Sequence, residues 1–304
     1  MVKKQTISKL QTTTWGNRWT EEKLIAFTKY VDAYLTIMNS YKNRYGWKTI
    51  YFDGFAGSGD LIKKGVATTI ETVNSTLFDF GIEEIETKVY KGAAERIVQL
   101  KNKFDYYYFI DLNGESLDRL KEKLNPFDMG YRLQFREGDA NDYIEELASA
   151  LKKDIKLKSL VLLDPFGMQI NWKSIELLKE TSSDVWILIP TGVIINRLLD
   201  RKGELTKIKK LCSFFGMTEE EIREEFYKKS INQTLFGEDT KLRKVEEPIR
   251  KIANLYIKRL QTVWKHVTPE PLVMRNSKNV KIYHFAFASN NAAGLKIAKD
   301  IIGN

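Results

Sequence analysis

The sequence predicts an α/β fold built on a mostly parallel sheet of seven strands. Short, β-rich apolar runs recur over the first 190 residues, and stretches of helix-compatible sequence separate them. Such alternation is typical of a parallel sheet that is covered by helices on both faces. The last two runs are joined by a turn too short for a crossover, so they must form an antiparallel hairpin at the end of the sheet.

The first predicted element is an amphipathic helix that begins near Thr20. Two acids follow this capping residue in the first turn, as is typical of a helix start. Apolar residues then recur at spacings of three and four, which gives the helix one buried face. They are Leu24, Phe27, Val31, Leu35 and Met38. This helix belongs to an N-terminal helical segment predicted for residues 1–46.

Residues 47–190 are predicted to form the Rossmann-like core. Its five strands are expected at Trp47–Asp53, Tyr106–Asp111, Tyr131–Phe135, Ser159–Asp164 and Asp184–Pro190. Helices are expected between them at Gly114–Leu124, Asn141–Lys153 and Trp172–Glu180. The separation of Gly59 from Asp111 is more than twice that of a compact dinucleotide-binding unit, so residues 60–91 are predicted to be an insertion.

Residues 191–243 do not fit the sheet pattern and are predicted to be a helical insertion or cap, with one helix from Thr218 to Ser230. Residues 244–304 complete the core. They are expected to form a helix over Lys244–Trp264, strands at Leu272–Arg275 and Val280–Ala288, and a helix over Asn290–Ile302. Five parallel strands followed by a hairpin match the topology of class I S-adenosylmethionine-dependent methyltransferases, an analogy of fold that does not establish chemistry.

The composition limits the classes of function. A chain of 304 residues with 43% hydrophobic side chains can bury a large core. The net charge of +9 favours a polyanionic partner such as nucleic acid, although a mildly basic surface is an equally good explanation. One cysteine excludes an intrachain disulfide and a multi-cysteine metal site, two histidines leave little for a histidine metal cluster, and no metal ligand is predicted. No apolar leader or membrane-spanning run is found, so we expect a cytoplasmic protein without membrane association.

The first of four candidate loops follows the first predicted strand. Glycines in this loop would let backbone amides approach a nucleotide-like cofactor, whereas the alternative is a simple tight turn. The predicted cofactor-binding residues of this loop are Asp53, Gly54, Phe55, Ala56, Gly57 and Gly59.

Two further loops end the next two strands. Asp111, followed by Leu112, is placed to accept hydrogen bonds from the ribose hydroxyls of an adenosyl group. Asp139, followed by Ala140, is placed to accept from the exocyclic amine of adenine, with Asn141 or Asp142 capping the next helix. For both loops, capping of a helix is the structural alternative.

The fourth loop, Asp164-Pro165-Phe166-Gly167, is the strongest single motif. In amino-directed methyltransferases a polar residue, prolines and an aromatic ring at this place hold the substrate nitrogen and its ring. Here Phe166 replaces a proline and Gly167 replaces the final aromatic residue, so the motif does not specify methylation of a base. We predict that Asp164 and Phe166 are catalytic and that Pro165 and Gly167 bind substrate, the alternative being a strand-end turn.

An ordered set of motifs over nearly the whole chain resembles the three-Cys-motif partner proteins (TcmP). The matching segments are Trp19–Leu24, Tyr51–Gly57, Tyr108–Asp111, Gly138–Asn141, Leu163–Trp172 and Phe287–Asn290, with Gly294 and the two residues after it. At Lys91–Ala94 the chain departs from the Gly-Ser-Pro that is usual in that family.

The resemblance implies a Rossmann-like methyltransferase fold that uses S-adenosylmethionine. It also implies a separate cysteine-rich partner, such as a radical S-adenosylmethionine enzyme. By position it implies a cofactor loop, a ribose acceptor, an adenine contact and a substrate-side carboxylate. These are, in order, Asp53 with Gly54, Gly57 and Gly59, then Asp111, Asp139 and Asp164.

The sequence therefore predicts a methyltransferase that acts on a nucleic acid or another anionic substrate. One alternative is a non-catalytic or cofactor-binding partner subunit of the cysteine-rich enzyme. A minor alternative is a metal-dependent nuclease or nucleotide hydrolase, which requires the four loop aspartates to converge on a metal ion.

Overall fold

A computed structural model of the protein describes residues 18–59, 92–201, 203–234, 237–276 and 278–303. Residues 1–17 of the predicted N-terminal segment and the insertion predicted over 60–91 lie outside the described residues.

The core begins with a long helix, α1 (Arg18–Tyr45), and the first strand, β1 (Lys48–Asp53). Helices and strands then alternate up to the fifth strand. They are α2 (Ala93–Gln99), β2 (Tyr106–Asp111), α3 (Gly114–Leu124), β3 (Leu133–Glu137), α4 (Ala140–Lys153), β4 (Leu157–Leu163), α5 (Trp172–Leu177) and β5 (Ser183–Ile189).

The second half of the chain forms the cap and the end of the sheet. A π-helical turn at Thr191–Ile195 and a short helical turn at Asn196–Leu198 follow β5. The remaining elements are α6 (Ile208–Phe215), α7 (Glu219–Phe226), β6 (Tyr227–Thr234), β7 (Gly237–Lys244), α8 (Pro248–Leu260), β8 (His266–Val267), β9 (Leu272–Arg275), β10 (Lys281–Ser289) and α9 (Ala292–Gly303).

The main sheet has the strand order β3-β2-β1-β4-β5-β10, with β8 and β9 both paired to the outer side of β10. All neighbours from β3 to β5 are parallel, whereas β10 runs antiparallel to β5, β8 and β9. The predicted fold class, a mostly parallel sheet with a terminal antiparallel hairpin, is confirmed. The sheet has eight strands instead of seven because two short strands, β8 and β9, share the last position.

Side chains of each strand alternate between two apolar cores, one on each face of the sheet. In β4, for example, Val161 and Leu163 lie in one core, and Leu160 and Leu162 lie in the other. Helices α1, α2, α3 and α9 cover one face, and α4, α5 and α8 cover the other. Burial on both faces explains why these strands are continuous apolar runs in the sequence.

Helix α1 is fastened to the sheet by a buried polar contact as well as by its apolar face. The Tyr30 hydroxyl donates to Asp184 Oδ2 at 2.7 Å, and the Ser289 hydroxyl donates to Asp184 Oδ1 at 2.5 Å. Burial raises the pKa of Asp184, while these two hydrogen bonds lower it. The contact fixes the position of α1 on β5 and β10, and α1 carries a residue of the candidate site.

The cap predicted to be helical, residues 191–243, also contains a two-stranded sheet. Strands β6 and β7 pair antiparallel from Tyr227 with Lys244 to Thr234 with Gly237. The helix predicted up to Ser230 therefore ends at Phe226, and the helix predicted from Lys244 begins at Pro248. A proline in the first turn lacks only an N–H that would have no partner there, which explains the later start.

Across the described ranges, none of the helices combines the length and the apolar character needed to cross a membrane.

Candidate functional site

Asp53 ends β1 and is buried, with 2% of its surface exposed. The Tyr51 hydroxyl donates to Oδ2 at 3.0 Å, and the Phe55 amide donates to Oδ1 at 3.2 Å. Burial raises the pKa of Asp53 from 3.8 to about 7, against the effect of these hydrogen bonds, and the charges of Asp164 and Asp111 add to the rise. The side chain therefore holds the start of the loop in place from beneath it.

The loop after β1 is tied to the end of β2. The Gly57 amide donates to Asp111 Oδ2 at 2.9 Å, and the Ala56 amide donates to the Ile110 carbonyl at 2.9 Å. Gly57 has φ of +58°, a left-handed conformation that favours glycine, and a Cβ there would meet no atom of the described residues within 4 Å. None of the described residues therefore blocks the approach of a ligand to the Gly57 backbone.

Gly54, directly after β1, packs against the end of β4 and the start of α4. A Cβ at this position would lie 3.0 Å from the Leu163 side chain and 3.5 Å from the Ala140 Cβ. Ala140 is itself buried, with 3% exposed, so its side chain packs inside the junction. The predicted cofactor residues Gly54 and Ala140 thus pack together beside the end of β4.

Asp111 and Leu112 lie at the end of β2. Asp111 Oδ1 accepts from the Asn113 amide at 2.8 Å, so each carboxylate oxygen receives one backbone N–H. Asn113, and not Asp111, caps α3, because its side chain accepts from the Ser116 amide at 3.1 Å. Leu112 is 67% exposed, so an apolar side chain faces solvent beside the oriented carboxylate.

Asp139 is the N-cap of α4, in place of Asn141 or Asp142, which the sequence suggested. Its Oδ1 accepts from the Asn141 amide and from Asn141 Nδ2, both at 2.8 Å. The residue is exposed, and its Oδ2 has no hydrogen bond to any part of the chain that the structure describes. This oxygen is free to accept a donor from a ligand.

Asn141 joins the third loop to the fourth, a role that the sequence did not show. Its Nδ2 also donates to the Gln169 carbonyl at 2.9 Å, and its Oδ1 accepts from the Asn171 amide at 2.9 Å. The Gln169 side chain in turn accepts from the Gly167 amide at 2.8 Å. These bonds fix the Asp164–Gly167 loop relative to Asp139.

Asp164 directly follows β4 and forms an ion pair with Lys23 of α1, in which Lys23 Nζ donates to Asp164 Oδ2. The Lys23 side chain is 6% exposed and that of Asp164 is 24% exposed. Sequence reasoning missed Lys23, although it lies at helical spacing from the buried Phe27 and Tyr30. A lysine on the apolar face of an amphipathic helix was the signal available.

Aromatic side chains surround this ion pair. Trp19 stacks on Tyr283 with a ring-centroid distance of 5.5 Å, and Lys23 Nζ lies 5.8 Å from the Trp19 ring centroid. The Tyr283 hydroxyl donates to the Phe166 carbonyl at 3.4 Å, while the Phe166 ring is 55% exposed. Pro165 and Gly167 on either side are buried. The loop backbone is therefore held rigidly and presents the Phe166 ring outward.

The four predicted aspartates lie along one edge of the sheet, in the strand order β3, β2, β1, β4. Strands are ~4.8 Å apart, so these loops extend over roughly 14 Å. Among the described residues, no group of three or more acidic, histidine or cysteine side chains could hold a metal ion. The carboxylates are thus spread along the edge, an arrangement that suits an extended polar ligand.

No protein-family model matches the chain, and no curated protein does. Solved structures that are similar include a Legionella pneumophila protein of the family DUF519, with 14% identity, coverage of 91% of this chain and 98% of that one, and a TM-score of 0.42. An Escherichia coli protein named as a candidate methyltransferase, yhhF, has 15% identity, coverage of 50% and 65%, and a TM-score of 0.26. A candidate rRNA methylase of Clostridium thermocellum has 12% identity, coverage of 69% and 96%, and a TM-score of 0.26. The fold assignment rests on the strand order and directions of this chain itself.

The buried carboxyl of Asp53 predicts a pH dependence of stability. Its pKa is about 7 when folded and 3.8 ordinarily, so the folded state holds this proton more tightly. The stabilisation is fully present below about pH 4 and is lost as the pH rises through about 7. Denaturant unfolding between these values should show that wild-type stability falls more steeply than that of Asp53→Asn, whose side chain can still accept from the Phe55 amide and can donate to the Tyr51 hydroxyl. Parallel profiles for the two proteins would contradict this.

Removal of the buried lysine should destabilise the protein. Lys23→Met leaves the Asp164 carboxylate without its partner, and we expect a loss of about 2 kcal/mol, less than for a fully buried pair because Asp164 is partly exposed. The matched control is Lys29→Met on the exposed side of α1, for which the change should stay within about 0.5 kcal/mol. Equal effects of the two substitutions in urea unfolding would show that the ion pair does not hold α1 to β4.

Proposed function

We propose that the protein is an S-adenosylmethionine-dependent methyltransferase that acts on a nucleic acid or another anionic substrate. The observation that carries the proposal is the alignment of oriented or unpaired carboxylate oxygens and an exposed apolar side chain along the carboxyl edge of the sheet. Open α/β sheets bind their ligands at this edge. The strand arrangement, five parallel strands and a terminal antiparallel hairpin, supports the proposal by analogy with the topology of class I methyltransferases.

The cofactor side of the proposed site consists of the first three loops. Each Asp111 oxygen accepts one backbone N–H, and a carboxylate oxygen has a second lone pair that can accept from a ribose hydroxyl. Leu112 offers an apolar surface to an adenine ring, and Asp139 Oδ2 can accept from its exocyclic amine. The Gly57 backbone is open to the remainder of the cofactor. S-adenosylmethionine, when bound, would supply a methyl group made electrophilic by its sulfonium.

The substrate side consists of the fourth loop. Methyl transfer depends chiefly on holding the acceptor in line, and rigid side chains achieve this best. Lys23 fixes Asp164 through Oδ2, so Oδ1 is the oxygen that orients the acceptor and receives its proton. The exposed Phe166 ring packs against the acceptor. Lys23 acts through Asp164 and is a positioning residue.

An exposed leucine gives the sharpest test of the cofactor side. Leu112→Ser should weaken the binding of S-adenosylhomocysteine, measured by calorimetry, by about tenfold, because an apolar contact with the adenine ring is lost. The control is Ile155→Ser, which removes a similarly exposed apolar side chain, 79% exposed, before the start of β4 at the opposite edge. Its affinity should equal that of the wild type. Absence of binding to the wild type, or equal losses in both variants, would overturn the proposal.

A second candidate, a non-catalytic partner subunit of a cysteine-rich enzyme, is favoured by one observation. The substrate-side carboxylate Asp164 is already paired with a buried lysine. Transfer of a labelled methyl group to DNA, RNA or lysate protein by the isolated chain distinguishes the two. Labelling that is lost in Asp164→Asn supports the transferase. Cofactor binding without labelling, together with a stable complex on co-expression with a cysteine-rich protein, supports the subunit.

A further inference from the structure

A basic pocket lies where the cap joins α8, outside the four loops. It has a volume of about 450 Å³, is open to solvent on one side, and is lined by Asn196, Arg201, Arg243, Lys244, Val245 and Pro248. Three of these six side chains are cationic. Arg201 follows the helical turns after β5, and Arg243 and Lys244 lie at the end of β7. The fold therefore places like charges from distant parts of the chain side by side.

The ammonium of Lys244 is held in a fixed position in this pocket. Lys244 Nζ donates to the Asn196 carbonyl at 2.5 Å and to Asn196 Oδ1 at 2.7 Å. Burial lowers the pKa of Lys244 to about 8, while Asp200 opposes and Arg201 reinforces this effect. Both acceptors on Asn196 are uncharged, so they orient the ammonium without neutralising it.

Two acidic residues near the pocket, Asp200 and Glu247, make contacts with other groups. Asp200 accepts the backbone amides of Glu204 and Leu205, at 3.1 and 2.7 Å. Glu247 pairs with Arg250 at 2.6 Å. Neither arginine of the pocket forms an ion pair with any side chain that the structure describes. The three cationic groups outnumber the Asp200 carboxylate whose charge acts on Lys244, and their mutual repulsion is relieved when an anion joins them.

The pocket is linked to the substrate side of the candidate site. A Cβ at Gly167 would lie 3.4 Å from Ile194 Cδ1, so the π-helical turn after β5 packs directly on the Asp164–Gly167 loop. Asn196, which holds Lys244, is two residues beyond Ile194. Single π-helical turns are often found at functional sites.

We propose that this pocket binds a phosphate group, and that in a nucleic acid substrate it holds a backbone phosphate beside the nucleotide presented to Asp164. Guanidinium groups bind phosphate oxygens through paired hydrogen bonds, and a fixed ammonium adds a point charge. Phosphate binding stands on the geometry of the pocket alone. The assignment of that phosphate to the methylated nucleic acid rests on the proposed function.

The test measures binding of the full chain to labelled single-stranded RNA and DNA oligonucleotides by fluorescence anisotropy. The double variant Arg201→Gln/Arg243→Gln should bind at least about tenfold more weakly, and its salt dependence should be lower by about one to two phosphate contacts. The control, Lys152→Gln/Lys299→Gln, makes the same change in net charge at exposed positions of α4 and α9 and should retain nearly wild-type affinity.

Equal losses in the two double variants would show that only overall charge matters and would overturn the proposal. Competition arms with inorganic phosphate and with a nucleoside monophosphate identify the source of the phosphate. If these bind in the wild type but not in the pocket variant while oligonucleotides do not bind at all, the pocket is upheld and the nucleic acid assignment is overturned. Thermal melting confirms folding of each variant. Calorimetry with S-adenosylhomocysteine on the wild type tests the proposed function separately.

Discussion

The candidate site depends on the pairing of β1 along both of its edges. β1 is bonded in parallel to β2 on one side and to β4 on the other, so the strand order reverses at β1. Because parallel crossovers are right-handed, the helices after β1 and β4 pack on opposite faces, as α2 and α5 do here. Asp53 and Asp164 therefore lie at the point where the strand order reverses, which is the place where open α/β sheets bind ligands.

Burial of ionisable groups at this edge of the sheet costs free energy of folding. Asp53 lies beneath the loop with a raised pKa, and Lys23 reaches from α1 to the Asp164 carboxylate. Carboxyl groups with a shifted pKa, such as Asp53, are concentrated at functional sites. The contact of Tyr30 with Asp184 supports this arrangement from a distance, since it keeps α1, and hence Lys23, in register with the sheet.

Much of the fold was predictable because its signals are local. Each core strand is an apolar run, and aspartates at or near the strand ends marked the loops after β1, β2, β3 and β4 in the sequence itself. The strands β6 and β7 were not predictable, since their polar sequences lack the apolar alternation by which a half-buried strand is recognised. Contacts between residues that are far apart in the sequence could not be predicted either. Lys23 and Asp164 are 141 positions apart, and only the odd placement of a lysine on an apolar helix face pointed to its role.

The central claim, that the carboxyl edge of β1 and β2 holds an adenosyl cofactor, is tested most directly by a crystal structure grown with S-adenosylhomocysteine. The account predicts that its ribose hydroxyls are bonded to Asp111, that its adenine ring lies on Leu112 with the amine at Asp139, and that its sulfur points toward the Asp164–Gly167 loop. Ligand bound elsewhere on the molecule, or an empty edge at saturating ligand, would contradict it.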